Sequence, residues 1–320
     1  MQIRTLEGVR IEAGEMVRVK EMGNIVEIMY SDSYASKCTI KRIDADTYID
    51  LRTGETRQFK HIDNRAQDKK SVSKSLGRLR DYINTNVTDT KKCRWVTLTY
   101  KENMTDSKKL YRDFDNFNRR LRKEVGAYEY IVAMEPQGRG AWHAHVLMIF
   151  TNKAPFISND LMWACWSPKG YKAKLKDGTG YNFVKVKKLD AVDNVGAYLT
   201  AYLGDIDLDD LNDGKLSRSD IENVYGDVVE KEVELEHGEK VKKSYIKGGR
   251  LGLYPPKFNL YRCSRGIEKP IVYYDSEMQA QKKVSAGTLT FEKSIQLDDM
   301  DSNFTKIINY RYYNLVRDAK

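Results

Sequence analysis

The sequence predicts an α+β fold with antiparallel pairing, and three patterns predict it. A β-branched and aromatic run, WVTLTY at 95–100, precedes a helical stripe of Leu110, Phe114, Phe117 and Leu121. Two further strand-type runs, EYIVAME at 129–135 and WHAHVLMIF at 142–150, flank the turn-rich PQGRGA, the pattern of an antiparallel hairpin. Residues 1–60 hold short alternating runs, such as IVEIMY at 25–30 and TYIDL at 47–51, near the turn Thr53-Gly54; they predict a small β-rich amino-terminal unit.

In chain order, the next element is a helix whose Val72, Leu76, Leu79 and Ile83 recur at helical spacing, a face expected to dock the amino-terminal unit against the central domain. The helix after WVTLTY leaves Arg112, Arg119, Arg120, Arg122 and Lys123 mostly outside its apolar stripe. A further helix is expected near Val195–Leu203. The expected division is 1–90 as the β-rich unit with its helix, 91–275 as the chemistry-bearing domain with an acidic insertion near 205–236, and 276–320 as a carboxyl-terminal tail or helical segment.

Composition bounds the function. The 320 residues are 41% hydrophobic and 32% charged, enough apolar content for a sizeable core and too much for a disordered polymer. No run of about 18 apolar residues is present to span a bilayer, and MQIRTLEGVRIEAGE lacks a secretory apolar stretch, so no membrane partner and a cytoplasmic location are expected. Cys38, Cys93, Cys165 and Cys263 form no CxxC pair, which argues against a zinc ribbon or a disulfide framework.

The net charge of +9 is unevenly spread. Residues 205–236 carry twelve acidic side chains against Lys215, Arg218 and Lys231, while Lys240 to Lys269 is basic, including Arg250, Arg262 and Arg265, and is interleaved with Tyr245, Tyr254, Phe258 and Tyr261. Cations for phosphates and rings for bases suit single strands. The alternative is a solvated acidic insertion beside a solvated basic face.

Of four histidines, two stand as His143-Ala144-His145. In a strand, residues i and i+2 project from one face, so both imidazoles can reach one metal ion. If the hairpin sets residue 135 opposite 143, Glu135 lies beside His143 with Cβ atoms about 5 Å apart and can supply a third ligand. Two imidazoles and a carboxylate leave open positions on a divalent ion, as a catalytic site requires. An isolated HxH is more often an ordinary strand pair, so the motif does not stand alone.

In DNVGAYLTAYLGD at 193–205, Tyr198 and Tyr202 lie four residues apart on one face of the expected helix. Val195, Leu199 and Leu203 form its apolar stripe, which leaves Tyr198 nearer the edge and the freer candidate nucleophile. A phenol with a pKa near 10 needs help from a metal or from cations such as Lys187 and Lys188 to attack a phosphate. Among 21 tyrosines, core packing is the competing explanation of such a pair.

Three blocks thus stand in order: WVTLTY, MEPQGRGAWHAHVLMIF from Met134 to Phe150, and VGAYLTAYL from Val195 to Leu203. Together they resemble the three motifs of rolling-circle replication initiators within the His-hydrophobic-His (HUH) endonuclease superfamily, closest to replication-associated proteins of small bacterial plasmids and phages. The resemblance covers roughly residues 90–205, and GGRLGLYPP from Gly248 to Pro256 resembles the same group more loosely. It implies a central antiparallel sheet with flanking helices. It further implies His143, His145 and Glu135 as ligands of Mg²⁺ or Mn²⁺, and a tyrosine that becomes linked to the 5′ phosphate of nicked origin DNA. Single-stranded or hairpin origin DNA, a host helicase and a host polymerase are the implied partners, in a bacterial cytoplasm. The lysine of the family's Tyr-x-x-Lys pattern is missing after both Tyr198 and Tyr202, so either can be the nucleophile. A conjugative relaxase or single-strand transposase shares this chemistry, and a non-enzymatic single-strand binder is the alternative from another class.

Overall fold

From Trp95 to Tyr100, burial alternates along the strand, so one backbone serves two environments. The computed structural model describes residues 2–33, 40–61, 65–136, 140–168, 182–187, 189, 195–196, 206–207, 228–234, 240–246, 249–299 and 304–316. It divides into two compact units, Met1–Ile62 with Pro270–Lys320, and Asp63–Lys269. The first unit opens with β1 (Gln2–Leu6), β2 (Met16–Met22) and β3 (Ile25–Ser31), then a small antiparallel sheet of β4 (Ile40–Arg42), β5 (Thr47–Asp50) and β6 (Thr56–Gln58).

The second unit begins with helix α1 (Lys69–Asn86), capped by the Asp68 carboxylate accepting from the Ser71 N–H. The strands β7 (Cys93–Tyr100), β8 (Glu129–Pro136) and β9 (Trp142–Ile149) come next, with α2 (Ser107–Val125) between β7 and β8. Then come α3 (Asn159–Trp166), β10 (Asn182–Lys187), the short β11 (Ile206–Asp207), β12 (Val228–Glu234), β13 (Lys240–Ile246) and β14 (Tyr261–Cys263). Five of these strands form one antiparallel sheet in the order β10-β7-β9-β8-β14.

Helices α2 and α3 bury one face of that sheet. The stripe Leu110, Phe114, Phe117 and Leu121 is buried as its spacing predicts, packed with Val96, Leu98, Val132, Ala144 and Val146. Each such large side chain stabilises the fold by roughly 1.5–3 kcal/mol relative to exposure. Asp106 starts α2, and Gly126 ends it with φ +83°, a left-handed conformation that favours glycine, its N–H donating to the Arg122 carbonyl. The opposite face receives α1, whose Leu79 and Ile83 meet Ile131, Ala133 and Leu147. The α1 face expected to dock the amino-terminal unit is thus used, in these contacts, on the sheet of its own unit.

The acidic insertion and the basic run after it meet in a three-stranded sheet, β11-β13-β12. Its register sets Glu232 opposite Lys242 and Glu234 opposite Lys240, so opposite charges face each other across the ladder. The chain then leaves the second unit and returns through β15 (Ile271–Ser276), α4 (Glu277–Lys283), β16 (Thr288–Asp299) and β17 (Phe304–Asn314). These complete a six-stranded antiparallel sheet in the order β1-β16-β17-β3-β2-β15, with Ala280 and Val284 of the α4 region packed on Val17, Val19, Val26 and Ile28. The residues expected to form a tail therefore share a sheet with the amino terminus, a long-range pairing that local periodicity does not encode.

Candidate active site

The strand pairing creates rows of neighbours across the face that α1 only partly covers. One row is Lys185, Thr97, His145, Ala133 and Tyr261, and the next is Phe183, Thr99, His143 and Glu135. Glu135 stands directly opposite His143, the register that the hairpin pattern predicts. Ala144 points the other way and is fully buried against the helices. The two imidazole centroids are 6.4 Å apart.

His145 is fixed on three sides. Its Nε2 lies 2.6 Å from Oε2 of Glu135, a carboxylate only 4% exposed. Its Nδ1 is 3.2 Å from the Thr97 hydroxyl. A neutral ring protonated on Nε2 satisfies both contacts, donating to Glu135 and accepting from Thr97. Trp95 stacks on the ring, with centroids 5.5 Å apart and an interplanar angle of 10°.

The donor types suit a divalent cation, since imidazole and carboxylate are both ordinary ligands of such ions. In this conformation, however, Glu135 and His145 bond to each other, and among the described residues no three His, Cys, Asp or Glu side chains are grouped around one point. Bonds of about 2.0–2.2 Å to a shared ion would need these two side chains to part. The backbone therefore assembles the donors, and side-chain rotation is the remaining step for binding.

Beside this row, Val195 is buried with Leu79, Ile83, Ala133 and Leu147, and the Gly196 N–H donates 3.0 Å to Oδ1 of Asn84 on α1. A Cβ on Gly196 would lie 2.6 Å from both the Arg80 carbonyl oxygen and Asn84 Oδ1, so only glycine fits this approach. The chain thus reaches the histidine side of the sheet two residues before Tyr198 in sequence. Tyr198, Tyr202 and Lys188 lie outside the described residues.

The expected DNA-contacting cations do not gather here. Arg262 pairs with Val132 on β8 and points to the helix side, 3.3 Å from Asp115 and 5.1 Å from the Tyr111 ring centroid. Arg265 is exposed near Glu129, whose carboxylate accepts from the Gly266 N–H, at the end of β8 remote from Glu135. Lys187 pairs with Trp95 in the β10–β7 ladder, and Arg250 lies in a short turn of helix at Gly249–Leu253. The rings interleaved with the basic run are largely core: Tyr254 is 1% exposed and donates to the Met134 carbonyl, and Phe258 stacks on Trp142. These two rings are therefore packing residues and not free faces for bases.

Of the cysteines, Cys93 and Cys165 are buried thiols, and burial pushes Cys93 up to about 12, which keeps it protonated and inert. Among the described residues, no helix is long and apolar enough to cross a membrane. Sequence reading did not single out Thr97, Asn84 or Gly196 as site residues. Thr97 is discoverable by carrying the strand alternation across from Trp95, whereas Asn84 meets Gly196 across 112 positions with no local signal.

No curated protein matches the chain. A family model does match within it: residues 93–207, just over a third of the sequence, are similar to the ORF2-type replication-associated protein family. The matched span runs from the first residue of β7 to the last of β11 and holds Glu135, His143 and His145 as well as Tyr198 and Tyr202.

Proposed function

We propose that the second unit is a site-specific nicking and joining enzyme that initiates rolling-circle replication from single-stranded or hairpin origin DNA. The observation that carries this reading is the convergence of Glu135, His143 and His145 on one sheet face inside the segment similar to replication-associated proteins. The phenol of Tyr198 or Tyr202 loses its proton and attacks a backbone phosphorus. The bond from phosphorus to the 3′ oxygen breaks, that oxygen takes up a proton, and the 5′ phosphate stays joined to tyrosine. Reversal reseals the strand without a nucleotide cofactor. Mg²⁺ or Mn²⁺ held by Glu135, His143 and His145 would supply charge that polarises the scissile phosphate. Thr97 and Trp95 hold the His145 ring in a single orientation. A host helicase and polymerase would open and extend the DNA, in the cytoplasm of a bacterial host.

The test incubates the full chain with Mn²⁺ and a random-sequence single-stranded DNA pool labelled at its 3′ ends. A protein–DNA adduct that survives denaturing electrophoresis is expected, lost when Tyr198→Phe and Tyr202→Phe are combined, and its sequenced DNA gives the recognition site. Bound but intact DNA would instead support a single-strand binder without nuclease activity, the reading that the direct Glu135–His145 hydrogen bond favours.

A further inference from the structure

We infer that the edge strand β10 is the track on which the substrate strand lies, with the Phe183 ring stacking a base and the Lys185 ammonium holding an adjoining phosphate. The inference rests on the second unit acting on single-stranded DNA and adds where that strand runs. Phe183 pairs with Thr99, which pairs with His143, and Lys185 pairs with Thr97, which pairs with His145. Residues directly opposite in an antiparallel ladder share a face, so both side chains project on the histidine side. Two interstrand spacings of about 4.8 Å put them roughly 10 Å from the histidines, and the pair is itself about 7 Å apart along β10.

The alternation of β10 separates packing from display. Val184 and Val186 pack on the helix-side core, whereas Phe183 is 50% exposed and Lys185 is exposed. A single exposed apolar residue is unremarkable on most surfaces. Here the exposed ring stands in the same row as His143 and Glu135, at the open edge of the sheet, with a cation two residues on. Ring faces stack any base and ammonium groups track the backbone, which is the chemistry of sequence-tolerant single-strand binding. The edge strand thus supplies affinity beside residues that supply reactivity.

The experiment measures anisotropy of a fluorescent thymidine oligonucleotide with the full chain in EDTA, so that binding is read without cleavage. Phe183→Ala and Phe183→Leu are expected to weaken binding about tenfold or more, with Phe183→Trp close to wild type. Lys185→Ala should reduce the dependence of log affinity on log salt by about 0.7, the contribution of one phosphate contact on a single strand. Phe183→Leu binding as tightly as wild type, with thermal unfolding unchanged, would overturn the inference, because bulk without a ring would then suffice. Adduct formation is scored separately: wild type that binds through Phe183 yet never forms adduct removes the nicking reading and leaves this track standing.

Discussion

Each unit buries a carboxylate against a basic side chain, and the two arrangements differ in what they leave available. In the first unit, Glu277 accepts from both terminal nitrogens of Arg311, at 2.5 and 2.7 Å, and from Gln281 at 2.9 Å. Arginine stays charged and its fork matches a carboxylate, so this pair is closed to exchange. In the second unit, Glu135 is equally buried but faces His145, with His143 directly opposite. Imidazole can release or accept a proton and can ligate metal, so this partner is replaceable. A permanently charged partner makes a buried acid a structural clamp, and a replaceable one makes it a reactive site.

The strongest way to break that contrast is to alter the exchangeable cluster itself. His143→Ala or Glu135→Gln is expected to abolish adduct formation while changing stability by only about 1 kcal/mol, the usual scale of one hydrogen bond. Paired gel and thermal-unfolding measurements check this, and a variant that loses fold together with activity would erase the distinction. Next in size is Glu277→Gln, expected to cost roughly 3–5 kcal/mol because it strands the buried Arg311 guanidinium. Adding Arg311→Met should recover much of that loss in urea unfolding, since a clamp without either charge leaves nothing uncompensated.

The contrast was only half legible in the sequence. His143, His145 and Glu135 could be placed on one face because strand alternation and a hairpin register are local rules, and β8 and β9 obey them. Arg311 and Glu277 could not be paired in advance, because they are 34 residues apart on a strand and a helix first joined by tertiary packing. The basic run misled for a physical reason: rings and cations alternate there, but Tyr254 and Phe258 fill the helix-side core and Arg262 turns to Asp115. Glycine at 196 was equally silent, although it fixes where the third motif approaches α1. Gly196→Ala is therefore expected to cost about 1–3 kcal/mol by overpacking against Arg80 and Asn84, and to lower adduct yield more than it lowers the melting temperature. Undiminished yield would mean that close docking on α1 is not needed for chemistry.

Acid titration sharpens the comparison by the smallest margin and depends on sign. Burial alone would raise the Glu277 carboxyl, but the Arg311 and Gln281 hydrogen bonds and the Arg311 charge outweigh it, holding the group below the ordinary value of 4.5. Burial likewise pushes Glu27 up, and Lys20, the Tyr312 hydroxyl and Arg18 bring it below 4.5. A carboxyl depressed by folding releases its proton more readily in the native state, so the unfolded chain binds more protons as pH falls. The stability these two groups contribute is therefore complete above about 4.5 and drains away as pH drops through their native values. Urea midpoints tracked from about pH 7 to pH 3 should fall in wild type below that point and fall less steeply in Glu277→Gln, which has no proton to gain at that position. Parallel acid profiles for the two proteins would show that the Arg311 clamp, although buried, is not what makes the first unit sensitive to acid.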